Sequence, residues 1–192
     1  MSLSPCLPRE WYARDALLVA RELLGRLLVR SLDGQLVRCR ISETEAYRGE
    51  EDLACHARVG KTARTAIMYG PPGHAYIYFT YGMHWCLNAV CMPENFPAAV
   101  LIRAVEPLNG WDGIATRRAG RPRGEWTNGP GKLTRALRID RSLNGIDLTQ
   151  MNGELWIEAG KPVPDEQVTA GPRVGINNVP EPWRSLPWRF HV

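Results

Sequence analysis

Apolar residues recur at helical spacing from Trp11 to Leu24, through Ala16, Leu17, Ala20 and Leu23, and Gly25 follows as a stop. That pattern predicts one helix over 11–24, packed on the core. The period then changes from helical to alternating. Two runs, RLLVRSL and QLVRCRISETEAY, flank Asp33-Gly34, a strong short-range signal for a hairpin. HAYIYFT and MHWCLNAV meet near Gly82, AAVLIRAVEPL follows, and ELWIEA returns at 154–159. All of these read as strands.

Between them, residues 49–73 carry weak periodicity and many turn formers, and read as a long ordered loop. The segment 111–130 is Arg- and Gly-rich and is expected to be irregular or partly helical. A short helix is expected to open after Gly131, turning Leu133, Leu137 and Ile139 inward. The stretch RVGINNVPEPWRSLPWRF, punctuated by Pro and Trp, reads as coil. The fold expected is α+β: a single domain over 1–192, with a curved, mainly antiparallel sheet of about five strands joined by hairpins and flanked by helices and long ordered loops.

Composition changes this picture little. Of 192 residues, 44% are apolar and 23% charged, which is ordinary for a globular chain. The net charge is +4, and arginines crowd at Arg103, Arg117, Arg118, Arg121, Arg123, Arg135, Arg138 and Arg141. Such a stripe suits a phosphate backbone but equally describes a solvated basic surface. Five cysteines, Cys6, Cys39, Cys55, Cys86 and Cys91, include no Cys-x-x-Cys pair, so neither a disulfide framework nor a zinc site is indicated. No apolar run approaches the roughly 20 residues of a membrane span, and MSLSPCLPREWYARD lacks the order of a signal peptide. A soluble cytoplasmic protein is expected.

The candidate chemistry starts in ISETEAYRGEED, residues 41–52, an acidic stretch in a basic chain. Strand alternation puts Glu43, Glu45 and Tyr47 on one face, where they could line a cleft. The same row also fits an exposed edge strand kept soluble by charge. Periodicity does not choose between the two glutamates. Glu50, Glu51 and Asp52 read as solvated residues that start the next loop. In AYIYFTYG, Tyr76, Ile77 and Phe79 read as core, whereas Tyr81, one step before Gly82, lies where a ring can protrude and enter a base stack.

His56 reads either as a packed residue or as a neutral imidazole against a bound base. Arg103 interrupts an apolar strand, so its charge needs a partner or ligand. Asn88 raises the same question with a smaller cost. Neither GPPG nor GPGK matches the nucleotide-binding loop G-x-x-x-x-G-K-[ST]. GPGKL still sets Lys132 by a helix start, where an ammonium and backbone N–H groups can hold a phosphate. A metal-dependent hydrolase built on Glu43, Glu45 and His56 is a further reading.

Taken together, ETEAY, the histidine nine residues beyond its tyrosine, MYGPPGHAYIYFTYGMHWCLN, VLIRAVEPL, NGPGKLTRAL and RVGI resemble the alkyladenine (3-methyladenine) DNA glycosylase family. The blocks run in order from about residue 12 onward. The resemblance implies a monofunctional enzyme, without metal or other cofactor, that flips a damaged purine out of double-stranded DNA and hydrolyses its N-glycosidic bond. It implies Glu45 as general base, with Arg103 helping to hold the attacking water, and a base pocket of Tyr47, His56, Tyr78 and Asn88. It implies Tyr81 as the wedge in the duplex and leaves Lys132 for the DNA backbone.

Alkylated purines such as 3-methyladenine, 7-methylguanine and 1,N6-ethenoadenine, and the deaminated base hypoxanthine, are the substrates expected. The loop HARVGKTARTAIMYGPPG departs from the family's TPRN-like pattern at Ala63 and Thr65. The absence of a long N-terminal extension suggests a compact bacterial form, monomeric and nucleoid-associated. A catalytically silent damage-binding module is the alternative.

Overall fold

The structure, a computed structural model, describes residues 5–192. Eight strands form one sheet: β1 (Leu27–Leu32), β2 (Gln35–Arg48), β3 (Ala75–Thr80), β4 (His84–Val90), β5 (Ala98–Pro107), β6 (Leu155–Glu158), β7 (Thr169–Gly171) and β8 (Arg189–His191). Their order is β3-β4-β5-β2-β1-β6, with β8 paired to β2 and β7 to β8. Every pairing is antiparallel. The α+β class holds, but the sheet is larger than expected. β7 and β8 are three residues each, too short to carry a period, and β8 lies in the segment read as coil.

Asp33 and Gly34 join β1 to β2 with φ of 51° and 75°, the doubly left-handed pair a two-residue hairpin requires. The helix expected over 11–24 is instead two helices. α1 (Arg9–Tyr12) ends early and α2 (Ala16–Leu23) starts afresh, because the Asp15 side chain accepts from Leu17 N–H at 2.9 Å and caps a new start. Gly25 stops α2 at φ 83°, and a Cβ there would lie 2.1 Å from the Lys161 carbonyl oxygen, so no larger residue fits. α3 (Trp111–Arg117) supplies the helical part of the Arg-rich segment. α4 (Pro130–Ala136) begins with proline in its first turn, where the missing N–H is no loss. Leu133, Leu137 and Ile139 are buried, as their spacing predicts.

Strand parity separates the two faces of the sheet. Ile77, Leu87, Ala89, Val100 and Ile102 face the main core, shared with Ala16, Val19, Ala20 and Leu23 of α2 and Leu133 and Leu137 of the α4 region. The opposite parity, Tyr76, Val90 and Ala99, packs on Cys55, Ala57, Met68 and Tyr69 of the loop at 49–73, with Tyr47 and Tyr78 against them. The loop is ordered by short 3-10 turns at His56–Val59 and Ala66–Tyr69. It roofs one face of the sheet, and the site lies under that roof.

Two irregularities adjust this face. Pairing of β2 with β5 runs regularly to Ile41–Val105, then to Glu43–Ala104, then to Thr44–Ile102. Ser42 is therefore an extra residue on β2 and Arg103 an extra residue on β5. Bulges re-aim side chains, and this pair turns Arg103 toward Glu43 and Glu45. β2 has neighbours on both sides, so the solvated-edge reading of its acids is overturned.

Candidate active site

A cavity of about 490 Å³ opens on the roofed face. Its walls include Tyr47 from β2, His56 from the loop, Tyr76 and Tyr78 from β3, Asn88 from β4 and Arg103 from β5. The sequence pattern had assigned Tyr76 to plain core; it is buried, but its ring lines the cavity and its hydroxyl lies 3.0 Å from His56 Nδ1. His56 also meets Tyr78 edge-on at 4.5 Å between ring centres. Burial first, and then the cations Arg64 and Arg58, push the His56 pKa down to about 4, so its imidazole is neutral at neutral pH. Asn88 donates from Nδ2 to the Tyr76 carbonyl at 2.9 Å, which fixes its amide at the wall.

Glu45 sits fully buried behind these rings. Its Oε2 accepts from the Tyr47 hydroxyl at 2.9 Å, and its Oε1 accepts from the Val174 backbone N–H at 2.7 Å and lies 3.3 Å from an Arg103 terminal nitrogen. Burial raises the Glu45 pKa, opposed by Arg103 and by the Val174 and Tyr47 hydrogen bonds, while Glu43 adds to the rise. The result is an ionisable carboxylate of more than ordinary basicity, already oriented. The Tyr47 phenol is held well above its ordinary pKa by burial and by Glu45, so it remains a donor.

Glu43 and Glu45 do share a face, and Arg103 finds the partner its sequence position demanded. Arg103 Nε donates to Glu43 Oε1 at 2.9 Å. His56 stands apart from this cluster, bonded to Tyr76. Among the described residues no three His, Cys, Asp or Glu side chains are gathered to hold a metal ion, and no helix is long and apolar enough to cross a membrane.

Tyr81 occupies the turn between β3 and β4 and is 78% exposed, with Met83 beside it at 67%. Its φ of 51° is a left-handed conformation rare for a bulky residue. The backbone thus accepts strain that leaves the ring projecting at the cavity mouth. Phe79, expected in the core, is instead 46% exposed on the same hairpin and packs at a tilt on Trp85, 4.8 Å between ring centres. Pro130 and Gly131, at the start of α4, line the other lip. Lys132 is half-exposed there, with its ammonium 2.9 Å from Asn128 Oδ1.

Three residues of the site escaped the sequence pattern. Asp52, read as solvated, is fully buried, and both its oxygens receive the Arg173 guanidinium, at 2.6 and 2.9 Å. Arg173 also donates to the Ala46 and Trp183 carbonyls and lies between the Tyr47 and Trp188 rings, 4.8 and 4.9 Å from their centres. Val174 follows it with the N–H that Glu45 accepts. Nothing local marks these partners, because Arg173 lies 121 residues from Asp52.

A cavity walled by aromatic rings, with a buried carboxylate behind it and a protruding tyrosine at its mouth, has the shape and chemistry to take in a flat group beside an ionisable acid. A sequence profile of methylpurine-DNA glycosylase matches residues 10–192, and the chain belongs to that family of DNA N-glycosylases. Among its relatives, one from Carboxydothermus hydrogenoformans is 50% identical over 187 residues, covering 97% of this chain and 94% of the relative. Another from Methanocella arvoryzae is 49% identical, covering 97% and 92%. A third from Streptomyces avermitilis is 45% identical, covering 97% and 87%. All three carry the provisional name 3-methyladenine DNA glycosylase.

Proposed function

We propose that this protein excises alkylated purines, 3-methyladenine, 7-methylguanine and ethenoadenine, together with hypoxanthine, from double-stranded DNA as a monomer, in the first step of base excision repair. The observation that carries the reading is the buried Glu45 carboxylate, held by Tyr47, Val174 and Arg103 directly behind an aromatic cavity. The names of the relatives support the 3-methyladenine part of the substrate range.

In this reading the damaged nucleotide rotates out of the stack and its base enters between Tyr47 and the His56–Tyr78 pair. The faces of these rings attract a purine made cationic by alkylation. Glu45 accepts a proton from water as the water oxygen bonds to the sugar C1′. The C1′–N bond breaks, and its electron pair leaves with the base: 3-methyladenine and 7-methylguanine, cationic in DNA, depart neutral, whereas ethenoadenine and hypoxanthine depart as anions that take up the proton released by the attacking water. The carboxylate also stands close to the cationic sugar of the transition state and stabilises it. Arg103 holds the water and keeps Glu45 ionised. Asn88, its amide anchored, stands against the 2-amino group of unmodified guanine, a penalty that 7-methylguanine offsets by its charge and better leaving group. Tyr81 fills the space the nucleotide vacates, and Lys132 meets the backbone at the lip.

Single-turnover excision on duplexes carrying each lesion tests this. Abasic product is expected from the parent, and Glu45→Gln is expected to bind lesion duplex normally while its excision rate falls about a hundredfold or more, as for loss of a general base. Binding without abasic product from any lesion would instead identify a silent recognition module. Undiminished turnover by Glu45→Gln would remove Glu45 from the chemistry.

A further inference from the structure

Glu43 is the acid for which the reaction has no step. Its Oε1 takes Arg103 Nε at 2.9 Å and lies 3.1 Å from Arg189 Nε of β8, the latter an ionic contact without hydrogen-bond alignment. Because Arg103 is the bulged residue of β5, ladder pairing does not fix its guanidinium; its partners do. Glu43 takes the Nε hydrogen bond, and toward Glu45 a terminal nitrogen makes only an ionic contact at 3.3 Å, without hydrogen-bond alignment. A guanidinium released from Glu43 would be free to meet Glu45 fork to fork, the strongest carboxylate geometry available to it. A carboxylate so held resists taking a proton.

We propose that Glu43 is a positioning residue that holds Arg103 away from a two-pronged bond to Glu45 and thereby keeps Glu45 competent as a base. The inference rests on the reading of Glu45 as that base. The groups facing Glu45 are Arg103 from β5, Glu43 and Tyr47 from its own strand, Tyr78 from β3 and Cys86 from β4, with Arg189 of β8 beyond Glu43. Of these, Glu43 and Arg103 carry charge next to it. Neutralising Glu43 removes a like charge and leaves Arg103 uncompensated. Both changes favour ionised Glu45, so its titration moves to lower pH and its basicity falls.

The variant Glu43→Gln keeps the shape of the side chain while removing the charge that holds Arg103. Carboxyl carbon-13 NMR of the free protein is expected to show the Glu45 midpoint lowered by about one unit or more. The acid limb of single-turnover excision is expected to move down with it, and the plateau rate to fall roughly tenfold while lesion-duplex binding stays unchanged. Arg189→Met, which removes a cation and leaves Glu43 wholly to Arg103, is expected to leave the Glu45 midpoint in place or raise it. If Glu43 serves only to tie β8 to β2, Glu43→Gln lowers stability without moving the Glu45 midpoint, and that result overturns the proposal. So does a lowered midpoint in Arg189→Met. A parent that excises no lesion removes the functional reading alone, because the NMR titration decides the positioning role without turnover.

Discussion

At the scale of single residues, the site sets two ionisable groups in opposite directions by the same means. Burial lowers the pKa of His56, whose charged form is a cation, and raises that of Glu45, whose charged form is an anion. His56 falls to about 4, below the ordinary histidine value near 6.5. A group depressed on folding contributes stability that is complete above its unfolded pKa and is lost as pH falls toward the folded one. His56 should therefore cost the protein stability between about pH 6.5 and about pH 4. Urea unfolding at pH 7 and pH 5 is expected to show that loss in the parent and a smaller one in His56→Gln. Equal losses in the two would mean that His56 titrates normally. Glu45 has the reverse sign, its contribution fading as pH rises through its raised pKa. The neutral His56 ring, its Nδ1 taken up by the Tyr76 hydroxyl, leaves Nε2 to the cavity without repelling a cationic base.

At the scale of elements, the β3–β4 hairpin links sequence to task most directly. Its alternation places Tyr76 and Tyr78 in the cavity wall and Ile77 in the core, while its turn carries Tyr81 out at φ 51°. The wedge should act on duplex binding, since unstacking a nucleotide costs a few kcal/mol that an inserted side chain offsets. Tyr81→Ala is expected to weaken binding to lesion duplex more than it slows excision in a preformed complex. Equal affinity for mutant and parent would leave the ring without a wedge role. The variant is not expected to unfold, since alanine removes an exposed ring and leaves the turn hydrogen bond from Met83 N–H to Thr80 O in place.

Elements also show where sequence periodicity is informative. The Asp33-Gly34 hairpin, the parity of Glu43, Glu45 and Tyr47, and the inward row of α4 follow from local spacing, and all three are found in the structure. The split of the first helix at Asp15 does not follow, because apolar spacing continues across residues 13–15 while one capping side chain interrupts the backbone. Phe79 has the parity of a core residue but lies where β3 runs past the body of the sheet, so its ring meets solvent and Trp85. The Ser42 and Arg103 bulges depend on two strands together, and no single strand announces them.

At the scale of the whole molecule, the segment from Arg173 to β8 closes the site from a distance that local reading does not span. Arg173 and Asp52 are both fully buried, with the guanidinium across both carboxylate oxygens. Removing one partner of such a pair leaves an uncompensated charge, at a cost of about 3–5 kcal/mol. Asp52→Asn and Arg173→Met are each expected to lower stability by about that amount. The double variant should recover a good part of it if the buried charge is the cause. Thermal unfolding across this mutant cycle measures the coupling, and strictly additive losses would assign the effect to packing against Tyr47 and Trp188 instead.

Synthesis from the N-terminus gives the hydrogen bond between Glu45 and Val174 a consequence in time. The carboxylate emerges 129 residues ahead of the amide that orients it. At about 5–20 residues per second, that separates them by on the order of ten seconds. During that interval the nascent chain carries the stacking rings and the acid without Val174, Arg173 or β8 to set them. The power to cut a glycosidic bond therefore arrives late and all at once, and ribosome-bound fragments are expected to be inert toward the genome they will later survey.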